Sequence, residues 1–451
     1  MNKRLAKELS PEAAEKQTRY LYWWMLLALF FEYARPGSYF PVLTVLPLNA
    51  AIPTLLLVFT LFAKGLRPWN QILRDRMARW LLVYIVFILV SMAWADITTY
   101  AYARFNLVVG YLFLFIVITR IVTTAARLRG VFIVLIVAHT FLLAMNPLVV
   151  LEPTIRHYII GATFLGDGND YSLSLCILAP FAIELALRAN SRMAKIGFWL
   201  VLVLLLAALV GTQSRGATLG IGAVFGYLWL HSPRKGLALG AIAGAMLLVL
   251  LWAPQVYFSR LGTIANYQGE SSAQSRISAW KAGFRMGTSH VLGVGAGNFP
   301  NNFPKYRDAD APVRWMTAHS MYFLTFGELG ILGLLVIIKL LVGNVRANTR
   351  LRRHLPARDG PAGGVAPNAR TLNMLNASVI GFAVAGAFLS VSYYPHIFVL
   401  TGLLLAARAI VATEEGVDLD VVESVQRGRV RRPGASARKP PVHPESVAPR
   451  V

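Results

Sequence analysis

Apolar runs long enough to cross a bilayer recur from residue 20 to residue 412. A hydrocarbon core about 30 Å thick needs roughly 20 apolar residues per upright helix. Backbone inside that core must satisfy its own hydrogen bonds, and runs of this length do so as helices. The chain is therefore read as an all-α, polytopic membrane protein. Spans fall near 20–34, 45–63, 79–95, 105–122, 130–150, 171–187, 196–211, 216–231, 236–253, 320–343, 372–392 and 396–412, about twelve transmembrane helices.

Composition agrees. Of 451 residues, 56% are hydrophobic and 14% charged, whereas a soluble domain carries about 25% charged residues. Residues 1–19 form a charged cytoplasmic leader without a cleavable signal pattern. The transmembrane domain is expected over 20–412, with residues 254–318 inserted as one large loop. Residues 355–368 read as a flexible linker, and 413–451, rich in charge and proline, as a disordered cytoplasmic tail. The one cysteine, Cys176, excludes an internal disulfide and a cysteine metal cluster. Its neighbours Leu173, Leu175, Ile177 and Leu178 mark it as a packing thiol.

A net charge of +23 would suit a nucleic-acid partner, but its placement argues otherwise. Of 44 Lys and Arg residues, 32 lie on one set of alternate connections and 11 on the other, with Lys339 inside a span. Cytoplasmic connections are enriched in Lys and Arg. Both termini are therefore expected to be cytoplasmic and the 254–318 loop to lie on the outer face. No nucleic acid is expected as a partner; the bilayer is. No internal repeat is evident, which weighs against a transporter built from matched halves.

The few outer arginines then carry the information. Arg215 stands in GTQSRGATLG between two spans, at the outer boundary; the alternative is a snorkelling side chain. The outer loop has seven basic residues, among them Arg260, Arg276, Lys281, Arg285 and Arg314, against Glu270, Asp308 and Asp310. Residues 272–287 place Ile277, Trp280 and Phe284 at helical spacing and predict a short amphipathic helix against the membrane. Arg276 and Trp280 are one turn apart and can cap one pocket. A guanidinium presents a planar fork that matches phosphate oxygens bidentately. A lipid diphosphate carries its charge at this depth. No acidic cluster is present to cage Mg²⁺, so no metal site and no cofactor is expected.

His319 opens AHSMYFLTFGELGILG, where the outer loop re-enters the membrane, with Tyr322 on the same helix side. Histidine is the usual proton acceptor near neutral pH, and nearby arginines would keep it neutral. The alternative is an interfacial histidine bonded to backbone. Glu328 is an intramembrane carboxylate, expensive unless partnered, and reads as structural. Asp167, Asn169 and Asp170 read as turn and cap residues, with sugar-hydroxyl binding as the alternative.

Three blocks resemble the O-antigen ligase and polymerase family of bacterial envelope glycosyltransferases. They are Ser214-Arg215-Gly216 at a span end, Arg276…Trp280 followed by LGVGAGNF at 292–299, and His319-Ser320-x-Tyr322 with Glu328-Leu329-Gly330. They occur in the family's order around one large outer loop and cover about residues 205–345. FFEYARPGSYFP at 30–41 and FLGDGNDYSL at 164–173 are similar to O-glycosylation ligase-like members. The resemblance implies transfer of a glycan from an undecaprenyl diphosphate carrier, on the periplasmic face of the inner membrane, to an acceptor hydroxyl. Acceptors in the family are the lipid A core, a carrier-linked glycan (the polymerases) or protein. It implies no metal. It implies that Arg215 and Arg276 bind the diphosphate and that His319 is catalytic. Trp280, Arg285 and Tyr322 are taken as further substrate-binding candidates; for Arg285 no motif matches.

A lipid-linked glycan transporter is the competing reading. It predicts charge near the bilayer midplane, discontinuous helices and matched halves, whereas the unusual charges here gather at one surface. A non-enzymatic scaffold would leave the arginines and His319 no reason to converge.

Overall fold

The computed structural model describes residues 16, 18–45, 47–161, 164–262, 271–309, 311, 315–355 and 365–424. Most of the 1–19 leader, residues 356–364 of the linker, the tail beyond Ser424, and Glu270, Asp310 and Arg314 of the outer loop lie outside the described residues. Among the described residues the protein is all-α, with eighteen α-helices and no strand. The first half holds α1 (Arg19–Ala34), α2 (Leu48–Phe62), α3 (Trp69–Arg74), α4 (Arg76–Val90), α5 (Thr98–Ile121) and α6 (Ala125–Met145). Then come α7 (Leu148–Leu151), α8 (Gly168–Arg188), α9 (Arg192–Gly211), α10 (Arg215–Leu230), α11 (Lys235–Trp252) and α12 (Gln255–Gly262). The rest are α13 (Ser271–Ser289), α14 (Phe299–Tyr306), α15 (Met321–His354), α16 (Pro367–Gly386), α17 (Pro395–Glu415) and α18 (Leu419–Ser424).

Each of the twelve expected spans is occupied by a helix: α1, α2, α4, α5, α6, α8, α9, α10, α11, α15, α16 and α17. Eight of them, α4, α5, α6, α8, α9, α11, α15 and α17, are long and apolar enough to cross a membrane. The other four fall short for visible reasons. α1, α2 and α10 have 16, 15 and 16 residues, and α16 carries Arg370, Asn373 and Asn376.

Helix α17 and helix α8 are almost wholly enclosed and form the centre, while α11 contributes no buried residue. Small residues let α8, α10 and α16 approach closely. A side chain at Gly220 would meet Ala385 and Cys176, and one at Gly381 would meet Val224 and the Cys176 carbonyl. Cys176 fills that notch and is buried, the packing role read from its neighbours.

The predicted loop helix exists as α13. Ala279, Ala282 and Met286 are buried, whereas Phe284 is exposed. Gly283 and Gly287 lie against Phe323 and Phe326 of α15. A helix this close to its neighbour needs small residues at the contact, so the larger apolar ones turn to its flanks.

Candidate functional site around the start of the tenth and fifteenth helices

His319 sits just before α15, whose first turn is capped by Ser320; its Oγ accepts from the Phe323 N–H at 3.5 Å. The His319 backbone is left-handed, φ 45°, a conformation costly for a residue with a Cβ. It is held there by its N–H donating to the Ser390 Oγ at 2.9 Å. Ser390 also accepts from the Thr317 hydroxyl at 2.9 Å. Burial, and then the positive charge of Arg276, lower the His319 imidazole to about 4, against an opposing pull from Asp167. The ring is therefore neutral near pH 7 and within electrostatic reach of both groups.

Arg215 is the first residue of α10, half-buried behind the tight turn from α9. Gly211 ends α9 where any Cβ would fall 1.8 Å from the Val149 carbonyl oxygen. Gln213 then turns left-handed, φ 56°. Its amide donates to the Pro153 carbonyl at 2.8 Å and accepts from Arg260 at 3.3 Å. Ser214 caps α10 by accepting from the Ala217 N–H at 3.4 Å. Gly216 is required because a Cβ there would lie 2.9 Å from the Phe388 side chain.

Phe388 is the pivot. It faces Gly216 on one side, and the Trp280 ring on the other at 6.2 Å between centroids. Trp280 also stacks on Phe323 at 5.7 Å, and its buried indole N–H has no partner among the described residues. Arg276 is one helical turn before Trp280. The α16–α17 connection, residues 387–394, thus joins all three blocks: Phe388 touches the first two and Ser390 holds His319.

The glycine-rich segment is explained by Glu328. Its Oε1 accepts from the Phe299 N–H at 2.9 Å, and its Oε2 from the Gly297 N–H at 2.8 Å and the Tyr393 hydroxyl at 2.6 Å. Helix α15 breaks at Gly330 (φ 62°, ψ −164°). The break frees the carbonyls of Gly327 and Glu328, which accept from Val294 and Gly295 at 3.0 and 2.9 Å. Gly293, Gly295 and Gly297 all take positive φ to make this docking. Glu328 is thus the structural carboxylate expected, and its partner is the loop. A methyl at Gly330 would fall 1.9 Å from the Val291 carbonyl oxygen. Gly330→Ala is therefore expected to cost about 2–6 kcal/mol from left-handed strain plus overpacking. Thermal unfolding in detergent measures it. Gly222→Ala, with nothing within 4 Å, serves as the neutral control; equal melting of the two variants would refute this account.

The other candidates are placed as follows. Tyr322 is half-buried and donates its hydroxyl to the Ala383 carbonyl at 2.9 Å. Arg285 is exposed and engaged by the Asp308 carboxylate at 2.5 Å and the Tyr306 carbonyl at 2.8 Å; Lys281 also meets Asp308, at 3.1 Å. Asp167 caps α8 through the Asn169 N–H at 3.0 Å and pairs with Arg156 at 2.7 Å, while Asp170 accepts from the Tyr394 hydroxyl at 3.0 Å. Cap and turn roles account for Asp167 and Asn169. Sequence reasoning missed Phe388 and Ser390; for Ser390 the available signal was a short polar and aromatic stretch, LSVSYYP at 389–395, at the end of the 372–392 span.

The described left-handed residues other than glycine are Arg35, Gln213 and His319. Chemically, this end of the bundle offers guanidiniums for an anion and a neutral imidazole for a proton. Residues 200–338 match the family model described as O-antigen ligase. All three motif blocks fall inside that segment, which belongs to the family their resemblance implied. The family indicates ligase- or polymerase-type action on a lipid-linked glycan in a membrane setting. No curated protein matches the chain.

Proposed function

We propose that this end of the bundle transfers a glycan from an undecaprenyl diphosphate carrier to an acceptor hydroxyl. The observation that carries the reading is the meeting of the Arg215, Arg276 and His319 blocks on residues 387–394. The acceptor oxygen attacks the anomeric carbon from the face opposite the diphosphate. The bond from that carbon to the phosphate oxygen breaks, its electron pair leaves with the diphosphate, and the anomeric centre inverts. His319 accepts the hydroxyl proton. Arg215 and Arg276 stabilise the charge that develops on the leaving diphosphate. Trp280 and Tyr322 shape the donor's surroundings, and Arg285, held by Asp308, orders the loop. The site faces the periplasm of an inner membrane and both termini are cytoplasmic, following the Lys and Arg asymmetry.

The test is transfer by the purified chain from a defined lipid diphosphate glycan to three acceptors. Product on lipid A core identifies a ligase, elongated carrier-linked glycan a polymerase, and modified protein a protein ligase. No transfer to any acceptor, with donor translocated across vesicles, would establish the transporter reading instead. Chelation is expected to leave the rate unchanged, because guanidiniums supply the counter-charge. Among the described residues no three metal-ligating side chains stand together. Loss of turnover in chelator, restored by Mg²⁺, would overturn the arginine mechanism.

A further inference from the structure

The end of the bundle opposite His319 contains a cavity of about 590 Å³. It lies between the inner half of α15, the last turns of α17 and the 67–77 segment that leads into α4. Seven Lys and Arg side chains line it against three Asp. Asp75 is already committed: it caps α4 through the Met77 N–H at 2.7 Å and pairs with Arg408 at 2.7 Å. Asp420, on the segment that folds back after the left-handed Gly416, reaches Arg74 at only 3.8 Å. Positive charge therefore remains in excess.

Two exposed cations of its lining lie on one face of α15. Lys339 and Arg346 are seven residues apart, two helical turns, and both point into the cavity. Lys339 lies four residues before the end of the 320–343 span, on the part of α15 beyond the break at Gly330, close to the far boundary of the hydrocarbon core. Neither is engaged by another described residue. Val342 and Leu405 supply apolar wall beside them. Cations over an apolar floor at a membrane boundary suit a phosphate carried on a lipid, and basic pockets between transmembrane helices bind such headgroups.

We infer that this cavity binds a phosphate group, at a site remote from the proposed transfer and independent of it. The phosphate comes from an anionic phospholipid headgroup or from a soluble phosphate, and binding measurements separate the two. Full-length protein, delipidated in neutral detergent, is titrated with short-chain phosphatidylglycerol, short-chain phosphatidylcholine and inorganic phosphate. Phosphatidylglycerol is expected to bind at least about tenfold more tightly than phosphatidylcholine. Lys339→Gln with Arg346→Gln is expected to weaken it about thirtyfold, each cation near the surface contributing about a fivefold factor. Lys339→Arg should retain most of the affinity. Saturable binding of inorganic phosphate that the double variant loses, without phosphatidylglycerol binding, assigns the site to a soluble phosphate. Equal affinity for the two lipids with no binding of inorganic phosphate, or unchanged affinity in a monodisperse double variant, overturns the inference.

Discussion

His319→Ala is expected to slow the chemical step by about 10²–10⁴-fold, the usual contribution of a positioned general base, while donor affinity stays near wild type. The ring's pH behaviour gives an independent readout. Burial, then Arg276, lowers the imidazole to about 4. Only the neutral ring accepts a proton, so activity should fall as pH drops through that value and stay flat from about pH 6 to 8. The limb in kcat/KM reports the free enzyme and should fall near 4. The limb in kcat reports the loaded enzyme, where a bound diphosphate opposes the effect of Arg276; its midpoint should be higher. His319→Gln, which keeps a hydrogen-bonding side chain but loses the base, should remove the acid limb. A fully active, correctly inserted His319→Ala protein would remove the histidine from the mechanism. An unchanged acid limb in His319→Gln would assign that limb to another group.

The twelve apolar helices were legible because apolar runs are local. Asp167 was read as a cap and caps α8, whereas the caps at Ser214 and Ser320 emerge from the structure. The order of the three blocks was legible because they too are local. Their meeting point was not. Phe388 and Ser390 lie in a connection that neither charge nor periodicity singles out, and they matter only because α16 and α17 bring that connection between α10, α13 and α15. The break at Gly330 was also hidden, since a lone glycine in an apolar run reads as tolerated. It becomes intelligible once the 291–299 segment is seen to bond the freed carbonyls. The protein-facing side of α13 was not legible from its large apolar residues, because close helix contact selects glycine and alanine.

Arg276→Ala and Arg215→Lys separate charge from shape at the other half of the proposed chemistry. Arg276→Ala removes both the guanidinium and its influence on His319. It is expected to weaken donor binding, to cut turnover by about 10²–10³-fold, the range for losing one preorganised electrostatic partner, and to shift the acid limb upward. That upward shift is diagnostic, because a loop arginine acting only as a solvated charge would leave the histidine unmoved. Arg215→Lys keeps the charge at the first residue of α10 but replaces a planar fork with a point charge. If the fork grips the diphosphate, turnover should fall by at least about tenfold, one hydrogen bond to a charged group being worth roughly that factor. Helix α10 should remain intact, since Ser214 and Gly216, rather than Arg215, fix its cap and its contact with Phe388. Near-normal turnover in a folded Arg215→Lys protein would mean that α10 contributes only positive potential there. The bidentate contact would then have to come from Arg276.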